Sequence, residues 1–408
     1  MDADDAPVLQ NYLPVKSMDM PGAIRWAAAT QGKPAIRQFA ELAAAVLFRR
    51  FEPMDYFLFG LYRKDLDRAG RRAILSDRAC TALNRSLAPP ELRTHRNLVD
   101  DKVLSTLVLA GAGLPVPPIR AHASSLYRLE SPRSLTSPAE VVAYLRSPGA
   151  VPCFGKPVHA SRSIGAAGIL AIDGDRVTLL NGRIAPVERL AQEIFAFHSE
   201  GYVFQDIIFN HPRLAAIVGP TMAGLRLVTV QTPEGPKLLY ALLRIPAPGA
   251  MVDSSTGGAS MVALVDRAEG RILRVGGMLS ISQRAIETHP VTGVTMAGQT
   301  IPLYAESVDL VLRAHRVLAD HGILGWDVAV TAAGPVITET NANPFHTLYQ
   351  RASNRGFLGP DIAPLIEECR AFCAARRAAM KDWTERWKKR ERPAGAAAPG
   401  VEARRAAE

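Results

Sequence analysis

Residues 326–341 read WDVAVTAAGPVITETN, two β-type runs around a turn of small residues, and the chain continues as ANPFH to His346. Val, Ile and Thr alternate with Asp327, Glu339 and Asn341, the period-two pattern of a strand pair with one apolar and one polar face. If the turn is the three-residue loop Ala332, Ala333 and Gly334, with Gly334 in the left-handed conformation such loops favour, Thr331 faces Pro335 and Asp327 faces Glu339. Val328 and Val330 then point with Val336 and Thr338 into a core, while Asn341 and Asn343 extend the polar row that Glu339 begins. A slip of one residue would part the two carboxylates, so the register is itself an expectation.

Two close carboxylates on a half-buried sheet repel one another unless a proton or a cation lies between them. Mg²⁺ takes oxygen ligands in octahedral geometry and keeps positions for water and phosphate, so two carboxylates and an amide suit it better than they suit zinc. The plainer reading makes Asp327 a surface charge, pairs Glu339 with an arginine and leaves Asn341 to Pro344 as a simple turn. Hairpin chemistry alone leaves both open.

The chain has 408 residues, 48% of them hydrophobic, enough for a substantial core in two or three domains or subdomains. Its four cysteines, Cys80, Cys153, Cys369 and Cys373, are sparse, and only the CRAFC pair lies close in sequence, on one helical face. Reduced thiols are expected. The first residues, MDADDAPVLQ, are acidic and lack the apolar core of a signal peptide. No uninterrupted apolar run is long enough to span a bilayer, so the expected location is cytoplasmic. The net charge of +9 points to an anionic partner until its position is considered, because residues 376–392 hold eight Arg or Lys against three acids. That surplus reads as the solvated end of a terminal helix (361–392) running into an Ala/Pro/Gly-rich tail (393–408) expected to be disordered. Nucleic acid is not among the expected partners, although Trp383 and Trp387, at i and i+4, leave a weak membrane-surface or protein contact open for this basic helix.

Along the chain, residues 1–95 form a helical N-terminal region. Within it AIRQFAELAAAVLFRRF carries Ala, Leu and Arg at spacings of three and four, and ELAAAVLF reads as a buried or packed helix. From residue 150 strand signals dominate, among them VPCFGKPV, GILAI, YVFQDIIF, LRLVTVQT and KLLYALLRI, with helical segments such as VERLAQEIFAFH between them. This is an α+β architecture. Lys156 ends a strand ahead of a loop of small residues, where backbone N–H groups and a lysine charge can gather around phosphate. GxxxxGK and GxGxxG are both absent, which argues against a Walker loop and a Rossmann fingerprint.

The ordered set DK (101–102), FGKP (154–157), SIGAAG (163–168), YVFQDII (202–208), LRLVTV (225–230), GWDVAV (325–330) and ETNANP (339–344) resembles the ATP-grasp superfamily over about 95 to 360. It is most similar to the sugar-transfer-associated branch, related to alpha-L-glutamate ligases. The resemblance implies an ATP-grasp domain (96–360) whose two α+β subdomains grip a nucleotide, with a hinge near 202–210. ATP and Mg²⁺, with Mn²⁺ as a substitute, are the implied cofactors. Lys102 and Lys156 match the lysines on the ATP phosphates; Ser163 and Gly165 belong to the loop over them; Gln205, Asp206, Ile207 and Ile208 match the adenine-reading hinge. Asp327, Glu339 and Asn341 match the metal ligands. Arg226 matches the arginine of the strand motif, and Arg244 is a second candidate for a substrate carboxylate, since guanidinium pairs with it bidentately.

The implied activity is a carboxylate–amine or related ligase forming a C–N bond through an acylphosphate, on a small-molecule carboxylate and nucleophile, within polysaccharide or cell-envelope metabolism. A small-molecule kinase and a non-catalytic nucleotide-binding scaffold are the alternatives. Two departures stand out. Gly325 replaces an arginine found in some relatives two residues before the metal aspartate, and the hinge is followed by Asn210 and His211 instead of an acid for ribose. His159 and Arg162 are candidates for the flexible loop, where a lone His is as readily a solvated side chain, and His346 and Tyr349 either face the acceptor or cap the segment that follows.

Overall fold

The computed structural model describes residues 7–9, 19–87, 98–159, 163–252, 259–390. The expected disordered tail, 393–408, and Arg162 lie outside them. Seven strands form a first sheet: β1 (Ile119–Ala123), β2 (Arg133–Leu135), β3 (Cys153–Pro157), β4 (Ala167–Asp173), β5 (Arg176–Leu179), β6 (Ile184–Pro186) and β7 (Tyr202–Asp206), in the order β2-β1-β7-β3-β4-β5-β6. Six form a second: β8 (Gly224–Thr232), β9 (Gly235–Ile245), β10 (Met261–Val265), β11 (Ile272–Gly277), β12 (Ile323–Thr331) and β13 (Gly334–Asn341), in the order β11-β10-β9-β8-β12-β13. Among the described residues only β1 and β2 pair in parallel. The chain is thus α+β, two sheets each backed by helices.

Helices Pro138–Leu145 and Val187–Phe197 cover one face of the first sheet, because Val141, Leu145, Leu190 and Ile194 recur at helical spacing and meet Ala121, Ile169 and Phe204. Ser137 caps the first of them by accepting the Glu140 N–H at 3.2 Å. Helix Tyr304–Val317 does the same for the second sheet, setting Leu310, Val311 and Ala314 against Leu227, Leu243 and Trp326. The opposite face of that sheet packs on helices His346–Ser353 and Ala363–Arg390 through Leu348, Ile366 and Cys369. Each such aliphatic side chain removed from water contributes about 1.5–3 kcal/mol. All four cysteines are free and buried; Cys369 and Cys373 point their thiols at the carbonyls of Gly322 (3.1 Å) and Leu87 (2.9 Å).

Of the helices Met20–Gln31, Ala35–Arg49, Asp55–Leu58, Arg68–Ala73 and Asp77–Ser86, the first three build a third core around Tyr56, Phe57 and Tyr62, while the last packs through Leu83 on the core behind the second sheet. The second of them corrects an expectation. Ala45 is buried, but Leu47 and Phe48 are 73% and 82% exposed, so ELAAAVLF packs along one side only. No helix among the described residues is long and apolar enough to cross a membrane.

The hairpin β12–β13 corrects another. Thr331 pairs with Gly334, not Pro335, so the turn is the two residues Ala332 and Ala333, and Gly334 opens β13 at φ +129°. A β-bulge then restores the lost position: Val328 pairs with Ile337 and Asp327 with Glu339, leaving Thr338 as the extra residue. Two displacements cancel, and the carboxylates face each other as expected. The bulge also changes who enters the core. Ile337 is buried, whereas Val336 and Thr338 are half-buried; the Thr338 hydroxyl donates to the Asp327 carbonyl at 3.0 Å.

Candidate active site

A cavity of about 370 Å³ lies between the two sheets. Lys156 reaches it from the third strand of the first sheet, whose alternate residues Cys153, Gly155 and Pro157 are buried. Its ammonium crosses to the second sheet and donates to the Thr338 carbonyl at 2.9 Å. Burial pushes this lysine down to about 8; Lys102 adds to the effect, and Glu339 and Asp327 oppose it. Lys102 opens helix Lys102–Gly111, whose N-terminus Asp101 caps by accepting the N–H groups of Val103 (2.8 Å) and Leu104 (2.9 Å). Its ammonium donates to the Val158 carbonyl at 3.1 Å and stands 3.9 Å from Glu339.

From the second sheet, Asp327 is buried on β12 between arginines of β8 and β9. Arg226 grips it with two hydrogen bonds, and Arg244 donates a third to Oδ2 at 3.0 Å. Burial alone would raise this carboxyl, but the two guanidinium groups hold it below its ordinary value. Arg226 is likewise held charged, its pKa raised against the burial that opposes it. Its Nη1 is buried without a hydrogen-bond partner, as is Asn341 Nδ2. Asp327 is therefore no surface charge, and Glu339 sits by a lysine instead of an arginine. Across the cavity, Gln205 and Asp206 end β7, with Ile207 and Ile208 beyond them; Arg120 holds the Asp206 carboxylate.

Every phosphate, hinge, metal and arginine residue expected from the sequence lines this cavity, and of the loop residues Ser163 does but Gly165 and His159 do not. Ser163 is there, at φ +60°, with Ile164 and Ala166 beside it. Gly165 turns away: its carbonyl accepts the Tyr202 hydroxyl at 3.0 Å, and a Cβ there would sit 2.2 Å from the His198 ring. Gly thus serves the loop's backbone, at φ +75°, not the wall. Of the two readings open for His346 and Tyr349, the structural one holds. His346 is fully buried, bonded to Tyr240 (3.0 Å) and Asn84 (2.7 Å) and stacked on Phe357, and Tyr349 bonds Asp361 at 3.2 Å, so neither faces an acceptor. Asn210 ties the Gly219 and Thr221 carbonyls, and His211 caps helix Pro212–Val218. Asn343 leaves the polar row to bond Asn84 and Thr81 of the N-terminal helices.

The cavity continues past these groups to a wall that nothing in the sequence pattern indicated: Glu52, Met54, Asp55 and Asp77 from the N-terminal helices, facing Leu348 and Arg351. Burial, reinforced by Asp77, pushes Asp55 up to about 6. The nearest sequence signal is the Ser76–Asp77 cap, which speaks only for a helix start.

Two strand-rich layers closing on one cavity, with Lys156 from the first, a carboxylate–arginine cluster from the second and Lys102 from the helix Lys102–Gly111, whose Leu109 packs in the second core, define an ATP-grasp fold. The sugar-transfer associated ATP-grasp family matches residues 88–361, and the chain belongs to that family. Among solved structures it is similar to the D-alanine-D-alanine ligase from Coxiella burnetii (15% identity, TM-score 0.40, covering 71% of this chain and 62% of that one). It is also similar to the VanG D-Ala:D-Ser ligase from Enterococcus faecalis (13%, TM-score 0.41, 67% and 61%). The ADP complex of purK, N5-carboxyaminoimidazole ribonucleotide synthetase, is a further one (12%, TM-score 0.35, 62% and 46%). The chain therefore spans less than two thirds of the length of these three proteins. No curated protein matches it.

Proposed function

We propose that this chain is an ATP- and Mg²⁺-dependent ligase that activates a small-molecule carboxylate as an acylphosphate and joins it to an amine or related nucleophile. One observation carries the reading. Lys156 from the first sheet, Lys102 from the helix Lys102–Gly111, and Asp327, Glu339, Asn341, Arg226 and Arg244 from the second sheet line a single cavity, with Lys156 bridging the sheets through its bond to Thr338.

Asp327, Glu339 and Asn341 would hold the Mg²⁺. The test of fit is their chemistry: three hard oxygen donors on one strand pair, Glu339 opposite Asp327 and Asn341 opposite Gly325. Among the described residues no group of three or more His, Cys, Asp or Glu could hold a metal ion. When bound it supplies neutralisation of phosphate charge.

The residues divide the remaining work. Lys102 and Lys156 hold phosphate charge, and the backbone of Gln205 to Ile208 holds the base. Arg226 and Arg244, fixed by Asp327, stabilise the charge on the transferring phosphoryl group and the acyl oxygen. The substrate carboxylate oxygen attacks the γ-phosphorus and ADP leaves; the nucleophile then attacks the acyl carbon, phosphate leaves, and the nucleophile loses its proton. The family's association with sugar transfer supports a place in polysaccharide or cell-envelope metabolism. The bound domain, 96–360 with a hinge near 202–210, is the expected nucleotide clamp.

A screen of amino acids and sugar acids for acceptor-dependent ADP release tests the class. A new amide is the expected product, and a phosphorylated acceptor would instead mean a kinase. Glu339→Ala should abolish Mg²⁺-dependent ATP turnover while the protein stays folded; unchanged turnover rejects this site.

A further inference from the structure

The helix Ala363–Arg390 outruns the body that it packs against. Its first turns are buried through Ile366, Cys369 and Cys373, and Arg376 pairs with Asp320 and donates to the Ala319 carbonyl at 2.8 Å. From Arg377 to Lys389 every side chain is exposed but for the half-buried Met380. Trp383 is 62% exposed and Trp387 50%, with their rings 6.0 Å apart and stacked within 15°. Two indoles left in water on an overhanging helix have no role in the fold.

The charges around them are sorted. At 3.6 residues per turn, Met380, Trp383 and Trp387 form one row and Arg377, Lys381, Thr384 and Lys388 the row beside it. Asp382 and Glu385 fall on the far side, where Asp382 pairs with Arg386 at 2.7 Å. An aromatic strip edged with cations and shielded from its own acids suits the boundary between lipid headgroups and acyl chains, where indoles sit and lysine stems lie along apolar surface.

We propose that this overhang docks the protein on an anionic lipid surface. Charge complementarity supports it: residues 376–392 carry eight Arg or Lys against three acids, the polybasic composition that anionic headgroups attract. The indoles favour lipid over RNA, because their near-parallel rings, 6.0 Å apart, run in one row with Met380 as a continuous apolar strip edged with cations, the form that a headgroup boundary takes up and not a set of separate stacking platforms along a groove. The inference is independent of the ligase reading, since none of these residues lines the cavity.

The test is flotation of the full chain with vesicles of phosphatidylcholine alone or in equal mixture with phosphatidylserine. Binding is expected only to the mixed vesicles, and rising salt should weaken it. The pair Trp383→Ala and Trp387→Ala, and separately Lys381→Glu with Lys388→Glu, should each lower that binding by at least about tenfold. Both variants should keep wild-type circular dichroism and ATP turnover. Failure to bind mixed vesicles, equal binding to phosphatidylcholine alone, or undiminished binding by either variant overturns the proposal. Capture of a single-stranded oligoribonucleotide in place of vesicles does so as well.

Discussion

Asp327 is the residue on which the second sheet's charges balance. Removing its charge while keeping its shape, as in Asp327→Asn, leaves Arg226 buried without a counter-ion and Arg244 short of one. Breaking a buried pair in this way costs about 3–5 kcal/mol, which chemical denaturation will read directly. Lys156 gives a pH signature. Phosphate prefers the ammonium form, and the free protein's lysine titrates at about 8, so ATP affinity should be strongest below that value and weaken as pH rises through it. Lys156→Arg should flatten this alkaline limb in a titration of nucleotide binding; an unchanged limb assigns it to another group. Gly325 explains why the arginine of some relatives is missing here. A Cβ at that position would lie 2.9 Å from the Pro344 ring and 3.6 Å from Arg226, so the space is already taken. At this scale the sequence was readable where side-chain period and charge coincide, as for Asp327 and Glu339. It was silent on Thr338, because a bulge inserts one residue without leaving a mark in the pattern.

At the scale of elements, the short helix Asp55–Leu58 stores an electrostatic cost. Asp55 is buried, accepts the Glu52 N–H at 3.1 Å and faces Asp77, and its pKa rises from 3.8 to about 6. The folded state therefore holds the proton more tightly than the unfolded chain. That favours folding below 3.8, and the advantage is lost as pH rises to about 6, after which the buried charge remains as a penalty. Asp55→Asn keeps the acceptor for Glu52 and removes the charge, so it should stabilise the protein by about 1–3 kcal/mol at pH 7 and change little at pH 4. Thermal melts at the two pH values check the sign. The polar chain inside the second sheet argues in the other direction. The Trp326 indole donates to the Thr229 hydroxyl at 2.8 Å, Thr229 reaches His315 at 2.7 Å, and His315 in turn meets the His321 carbonyl at 2.8 Å. Burial keeps His315 neutral by lowering it to about 4, so one ring nitrogen is free to accept. Thr229→Val should cost about 1–3 kcal/mol by stranding the groups on both sides. Strands of this sheet announce themselves by β-branched runs and alternation. The helix Ala35–Arg49 did not disclose which side packs, because Ile36, Phe39 and Leu47 outside are as apolar as Leu42 and Ala45 inside.

On the scale of the whole molecule, the N-terminal helices are joined to the ATP-grasp body by contacts that no local pattern encodes. Gln350 holds Leu75 at both its N–H (2.7 Å) and its carbonyl (2.9 Å) and also accepts the Phe357 N–H at 3.2 Å. Tyr62 donates to the Ile281 carbonyl at 2.6 Å, and Arg63 donates to Asn354 Oδ1 at 2.7 Å. These partners lie more than two hundred residues apart, so helical periodicity could place the helices but not say where they dock. The docking gives the cavity its far wall, with Asp55 and Asp77 in it. The two regions should then unfold as one unit, and the molecule carries its own reporters: Trp26 in the N-terminal core and Trp326 in the second sheet. With Trp383 and Trp387 changed to Phe, variants retaining only Trp26 or only Trp326 should give coincident denaturation curves. Gln350→Leu, which leaves the Leu75 and Phe357 backbone groups without partners, should shift both curves together by about 2–4 kcal/mol. If instead the Trp26 signal is lost first and the Trp326 curve stays in place, the helices are a separate module laid over a self-sufficient domain. The far wall of the cavity would then be removable without unfolding the rest.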